Sequence, residues 1–255
     1  MPSTIPLEIE ETILDFLAED DERHSALKTC SLVCQAFLPI CRKHIFGSIV
    51  LNEYYLISPN TTQAFERLLR ESPEIADYIR KLDYNIRTAD LTSPSIQESL
   101  NRISWLEFLT VRHNNGPRGP RLDWNNSPIR PALLQLLHLP TLTHFNINNF
   151  NNFVVSDLTP CVNLKYLDIG LYTTVAAENT FPAALPEHSI QLNEFIAGVR
   201  TPGVVMKLCT ARRPDGQPII DFGSLSKITL TIEDEASQEL FRRCHGLTSA
   251  HISCK

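Results

Sequence analysis

Residues 142–147 read Leu-Thr-His-Phe-Asn-Ile, and residues 164–169 read Leu-Lys-Tyr-Leu-Asp-Ile. Both place an apolar side chain at the first, fourth and sixth positions, and that spacing decides the fold. The fourth and sixth positions share one side of an extended chain, as in a half-buried strand. Working outward, the same spacing recurs at Ile79-x-x-Leu82-x-Tyr84, Leu106-x-x-Leu109-x-Val111, Leu192-x-x-Phe195-x-Ala197, Leu225-x-x-Ile228-x-Leu230 and Leu247-x-x-Ala250-x-Ile252. The seven starts are separated by 27, 36, 22, 28, 33 and 22 residues. Four intervals fit a repeat of ~20–29 residues that supplies one strand and one return segment, and the other two carry insertions. Stacking such units lays their strands side by side in a parallel sheet with the apolar positions inward.

The return segments carry helical patterns. Thr62–Arg70 brings Ala64, Phe65, Leu68 and Leu69 to one side. Ser127–His138 opens with Ser-Pro, read as a cap followed by proline at the first helical position. Asp234–Cys244 carries Ala236, Leu240 and Phe241. These helices are expected on the convex side.

Between the inward positions, the two-residue period turns the remaining strand residues to the concave side. The candidate substrate-binding residues there are Phe108, Thr110, Arg112, His144, Asn146, Tyr166 and Asp168. They are flanked by Lys81, Asp83, Asn85, Asn148, Glu194, Ile196, Lys227, Thr229, Thr231 and His251. Exposed aromatic and arginine side chains are the types that dominate protein interfaces. The plainer reading is an ordinary solvated sheet with scattered aromatics. His144 and Asp168 fall on neighbouring strands and would offer an acid–base pair. No nucleophile or oxyanion site accompanies them, which favours a polar binding face.

The 36-residue interval contains Arg112-His-Asn-Asn-Gly-Pro-Arg-Gly-Pro-Arg121 and then Asp123-Trp124-Asn-Asn-Ser-Pro. Glycine and proline make this a loop. Arg112, Arg118, Arg121 and Arg130 suit an acidic or phosphorylated target, Trp124 is a candidate anchor, and a plain surface insertion is the competing reading.

The first 46 residues obey a different period. Pro6 suits the first helical position, and Glu8, Glu10 and Glu11 place negative charge at the positive end of the helix dipole. Ile9, Ile13, Phe16 and Leu17 form one apolar stripe. A second helix is expected from Ser25 to Phe37, with Leu27, Cys30, Cys34 and Phe37 in line and Leu32, Val33 and Ala36 widening the stripe. Pro39 is expected to interrupt it, leaving a third short helix with Ile40, Cys41, His44, Ile45 and Phe46. So much apolar surface on small helices implies a partner surface.

Three pieces of this segment carry a resemblance: Ile5-Pro6-x-Glu8-Ile9, Ile13-Leu14-x-Phe16-Leu17 and Leu32-Val33-Cys34-x-x-Phe37. Together they resemble the F-box, whose pattern opens Leu-Pro-x-Glu and later has Val-Cys with an aromatic residue three positions on. Here Ile5 stands for the leucine and Phe37 for the usual tryptophan. The repeats resemble irregular leucine-rich repeats without the consensus asparagine, and the combination is similar to the large set of fungal F-box proteins. The resemblance implies docking on the Skp-type adaptor of an SCF ubiquitin ligase, and through it on a cullin scaffold. The implied adaptor-binding residues are Ile5, Pro6, Glu8, Ile9, Ile13, Leu32, Val33 and Phe37. Two readings compete: a helical cap on the following repeats, and a zinc site at Cys30, Cys34, Cys41 and His44. The cysteine spacing on a helical stripe speaks for small core residues instead.

Composition narrows the function. Of 255 residues, 43% are hydrophobic and 20% charged, with a net charge of -6. Residues 1–25 hold eight acidic side chains against Arg23 alone, so the rest of the chain is near neutral. No basic stripe marks a nucleic-acid binder. No run of ~18 apolar residues marks a membrane span. The N-terminus lacks the layout of a signal peptide, so the two Asn-x-Ser/Thr sites carry no weight. Seven cysteines, an odd number, point to reduced thiols inside the cell. Phosphate-binding, hydrolase-elbow, metalloprotease and dinucleotide motifs are all missing from a chain with nine glycines.

The expectation is therefore an α/β chain with a short three-helix F-box at 1–48 and an irregular leucine-rich-repeat solenoid with a curved parallel sheet at 49–255. The abrupt stop at Lys255, just after a repeat strand and without a polar cap, implies either an exposed sheet edge or a truncated C-terminus. The expected role is a substrate receptor of the ligase, cytoplasmic or nuclear, with an unidentified protein substrate. No enzymatic activity, cofactor, metal, nucleic acid or membrane enters it. The alternative is a stand-alone repeat scaffold whose N-terminal helices only cap it.

Overall fold

The computed structural model describes residues 7–19, 23–33, 35–52, 61–113, 119–176, 181, 185–198, 203–232 and 236–254. Eight strands form one parallel sheet: β1 Ser48–Leu51, β2 Lys81–Ile86, β3 Phe108–His113, β4 His144–Asn148, β5 Tyr166–Ile169, β6 Glu194–Ala197, β7 Lys227–Ile232 and β8 Ser249–Cys254. Their order across the sheet is their order in the chain. Every neighbouring pair is parallel. The chain is thus α/β, with a large parallel sheet and helical returns.

The register explains how a sequence spacing becomes a sheet. Leu82, Leu109, Phe145, Leu167, Phe195, Ile228 and Ala250 occupy one row across β2 to β8. At each of the seven junctions, the carbonyl just before one strand accepts two successive N–H groups of the next. Glu107 O, for example, accepts from Thr143 and His144, and Thr143 O from Lys165 and Tyr166. Through the first six repeats, all eighteen inward side chains from Ile79 to Leu230 are buried. They belong to one core that runs from Leu51 and Phe65 to Leu240.

The returns supply the other half of that core. Helices α4 (Thr61–Glu71), α5 (Pro94–Asn101), α6 (Arg130–Leu137), α7 (Val204–Thr210) and α8 (Ala236–Arg243) connect the strands, with short 3-10 turns at Pro73–Tyr78, Thr88–Thr92 and Val155–Leu158. Spacing selects what each buries: Thr62, Phe65 and Leu69 on α4; Leu133, Leu136 and Leu137 on α6.

Ahead of the sheet, α1 (Leu7–Glu19), α2 (Arg23–Val33) and α3 (Phe37–Phe46) pack around a small core of their own, Leu14, Leu27, Ile40 and Cys41. Arg42 on α3 ties them to the rest through Glu74 at 3.0 Å.

Several expectations need correction. α2 ends at Val33, not Phe37, and α3 begins at Phe37 and runs through Pro39. Pro39 is the third residue of α3, within the first turn, where a missing N–H breaks no intrahelical bond. The helix after the insertion begins at Arg130, not Ser127. Ser127 sits instead in a turn, accepting from Arg130 N through its carbonyl, while Pro131 takes the proline-tolerant first turn. Asn85 shares the row of Arg112, as expected, but is buried rather than exposed, and its carbonyl accepts from Asn52 Nδ2 at 3.1 Å. In β8, Ala250 is exposed and Ile252 is 42% exposed, because this edge strand has a single neighbour. β1, α5 and α7 have no counterpart among the expected elements.

Candidate functional site

Two surfaces hold the candidate residues. The first is on α1 and α2. Ile9, Ile13 and Phe16 are spaced four and three apart on α1 and are 50%, 51% and 70% exposed. Leu14, one position from Ile13, is buried in the small core. On α2, Leu27 faces that core while Leu32 and Val33 are 87% and 70% exposed. The apolar stripe of α1 therefore points outward, and the helix is held by Leu14 with partly buried Leu17 and Ala18. Glu8 is exposed beside it. Phe37 departs from the expected set: it is half-buried at the start of α3 and packs against the module's own core. Ile5 and Pro6 lie outside the described residues. Phe16 was legible as part of the stripe but was not among the expected docking residues, and it is more exposed than Ile9 or Ile13.

The second surface is the open face of the sheet across β3, β4 and β5. The register brings the expected residues together in rows. Phe108, His144 and Tyr166 share one, and Thr110, Asn146 and Asp168 the next. Arg112 lies beside Asn148 in a third. In the first row the rings stack, Phe108 on His144 at 4.1 Å between centroids and His144 on Tyr166 at 5.4 Å. With strands about 4.8 Å apart, those separations mean upright rings facing one another across the sheet. His144 Nδ1 shares a 2.8 Å hydrogen bond with Thr143 Oγ1.

From the third row into the second runs a chain of amides ending on a carboxylate. Asn148 Nδ2 donates to Asn146 Oδ1, and Asn146 Nδ2 donates to Asp168 Oδ2 at 2.6 Å. Gly170 makes this possible: a Cβ there would stand 1.5 Å from Asn148 Oδ1. Burial pushes the Asp168 carboxyl up to about 6, against the pull of Arg112. Burial, then the charges of Asp168 and Glu194, push the Tyr166 hydroxyl up to about 12. Burial lowers His144, with Glu194 and Glu107 opposing.

His144 and Asp168 share the face without forming a dyad. Each is hydrogen-bonded to another residue, so neither orients the other for proton transfer. The arginines of the insertion are also committed internally. One Arg112 nitrogen donates to both Asp83 oxygens at 3.1 Å. Arg121 lies over the Tyr172 ring at 5.2 Å. Arg130 and the Trp124 indole N–H both donate to the Asp157 carboxylate, at 2.8 and 2.7 Å. Trp124 is an anchor, buried between Phe150 and Phe153; Arg118 lies outside the described residues.

Among the described residues no group of three or more His, Cys, Asp and Glu is placed to hold a metal ion. Of the zinc candidates, Cys41 is buried, Cys30 is half-buried and Cys34 lies outside the described residues, while His44 Nε2 lies 2.8 Å from an Asp15 oxygen. No described helix is long and apolar enough to cross a membrane. The strand order never reverses, so the sheet has no switch-point crevice, where open parallel sheets hold their ligands. No protein-family model matches this chain, and no curated protein matches it either.

Proposed function

We propose that the chain is a substrate-recognition adaptor of an SCF-type ubiquitin ligase. In this reading α1 to α3 are an F-box that docks on the Skp-type adaptor, and the sheet is a leucine-rich-repeat array that holds a protein substrate. The observation that carries it is the exposure of Ile9, Ile13, Phe16, Leu32 and Val33 on helices that already possess a core. A module that only capped the sheet would turn its apolar stripe toward the sheet; here the stripe faces away from its own core. Large apolar side chains clustered in water mark an interaction surface. The repeat reading is supported by the one-row register of the inward residues and the seven equivalent junction carbonyls.

The mechanism is proximity. An adaptor that grips the ligase with one surface and the substrate with another raises the effective concentration of lysines near the charged enzyme, and contributes no reacting group. A polar face with stacked aromatics suits that task. The partners are then the Skp-type adaptor, a cullin scaffold behind it and a protein substrate, within the cytoplasm or nucleus.

The test is co-expression of the full chain with a Skp-type adaptor, followed by gel filtration. A one-to-one complex is expected for the native chain and none for Leu32→Asp with Val33→Asp. Both positions are exposed, so the variant should remain folded by circular dichroism. If the native chain elutes alone, or the variant still binds, the proposal fails.

A further inference from the structure

Among the described residues of the open sheet face, two other carboxylates have cationic partners: Asp83 takes Arg112, and Glu194 lies 3.9 Å from Lys227. Asp168 accepts a hydrogen bond from Asn146, but no described cation lies within ion-pairing distance of it. The remaining lysine of the face, Lys81, is on β2, three strands away and so about 14 Å across the sheet. Arg112, two strands away on β3 and already bound to Asp83, pulls on Asp168 only from a distance. A half-buried carboxylate without an ion-pair partner of its own is an unfavourable arrangement that the fold nevertheless holds in place. It does so from one side only, through the amide chain from Asn148 and Asn146 over Gly170.

The neighbouring group is equally specific. Tyr166 precedes Asp168 by two residues and shares its side of β5. It ends the ring stack, so its inner face is covered by His144 and its outer face is turned toward β6 and Glu194. A π face flanked by two carboxylates attracts a flat cation. Guanidinium meets all three demands: it stacks, it forks to a carboxylate and it is weakly hydrated. A bare divalent cation would want six or more oxygens, which this row does not offer.

We propose that this site takes an arginine side chain of a protein partner, the guanidinium lying on the outer face of Tyr166 and donating to Asp168, with Glu194 beside it. The inference rests on reading the open sheet face as the side that holds a partner; it is independent of what α1 to α3 dock on.

The experiment is an NMR titration of the isotope-labelled full chain with N-acetyl-arginine methylamide, with the isosteric neutral citrulline derivative as control. Saturable shifts are expected at Tyr166, Asp168 and Glu194, with a Kd on the order of 1 mM, the scale of a one-side-chain ligand. The citrulline derivative should give none. Asp168→Asn keeps an acceptor for Asn146 and should weaken binding by about tenfold or more. Tyr166→Leu removes the ring face and should weaken it comparably, which covers the case of one variant failing to fold. Equal response to citrulline, unchanged affinity in both variants, or no saturable shift at these residues overturns the proposal. No adaptor is in the tube, so arginine binding without adaptor docking retires the ligase reading alone, and the reverse retires this one alone.

Discussion

Replacing Asp168 by asparagine should stabilise the protein at neutral pH. The carboxyl ordinarily ionises near 3.8 and is held here at about 6, chiefly by burial and only partly offset by Arg112. The groups that face it are Asn146 on β4, Tyr166 on its own strand, Ile196 on β6 and, more distantly, Arg112 and Glu194. Between pH 3.8 and 6 the folded chain keeps a proton that the unfolded chain has released. Stability must therefore fall as pH rises through that window and stay low above it. At 1.36 kcal/mol per pH unit, the ceiling is about 3 kcal/mol. Solvent reaches part of the side chain and screens it, which brings the expected effect to about 1–2 kcal/mol. Urea unfolding of native chain and Asp168→Asn at pH 4, 5, 6, 7 and 8 measures it. The two curves should nearly coincide at pH 4, separate in the variant's favour by pH 6 and run parallel above. A variant less stable than the native chain at pH 8 would refute the reasoning, because it would mean that Arg112 compensates Asp168 in full.

Two further perturbations test the packing. Asp157→Ala leaves the Arg130 guanidinium and the Trp124 indole N–H without their shared acceptor, so urea unfolding should show a loss of about 3–5 kcal/mol with an unchanged m-value. Leu14→Ala should cost about 2–5 kcal/mol in thermal unfolding; Leu32→Ala should cost less than about 0.5 kcal/mol, since Leu32 is 87% exposed. Equal losses for Leu14→Ala and Leu32→Ala would show that the two residues share one core.

The sheet was legible because its signal is periodic and its cause is local. Ile79, Leu82 and Tyr84 announce their strand by spacing alone, and the register then puts each such trio beside the next. β1 continues the same spacing, Phe46-x-x-Ile49-x-Leu51, with Ile49 beside Leu82 and Leu51 beside Tyr84. It went unread because Phe46, the first member of the spacing, is the last residue of α3, two positions before the strand begins. Pro39 misled because a proline is read as a breaker unless its position within the helix is known. The rows of the open face followed from the period of two; their chemistry did not. Arg112 and Asp83 are 29 residues apart in sequence, and nothing in either marks the other as partner. The same holds for Asp157, which gathers Trp124 and Arg130 from the insertion. On α1 the stripe was visible, but a stripe does not say whether it faces inward. One buried residue beside it, Leu14, settles that.

Sheet order that copies chain order also has a kinetic meaning. Parallel sheets ordinarily fold slowly, because a strand must find a partner far along the chain and the loop between them must close first. Here no ladder joins residues more than 36 apart, the distance from Phe108 to His144. Closure costs that rise only with the logarithm of loop length stay small and nearly equal at every step. The sheet can therefore begin at any neighbouring pair of strands and grow toward either end. Damage should travel the same way: a lesion in β7 releases β8 and leaves β1 to β5 with all their partners.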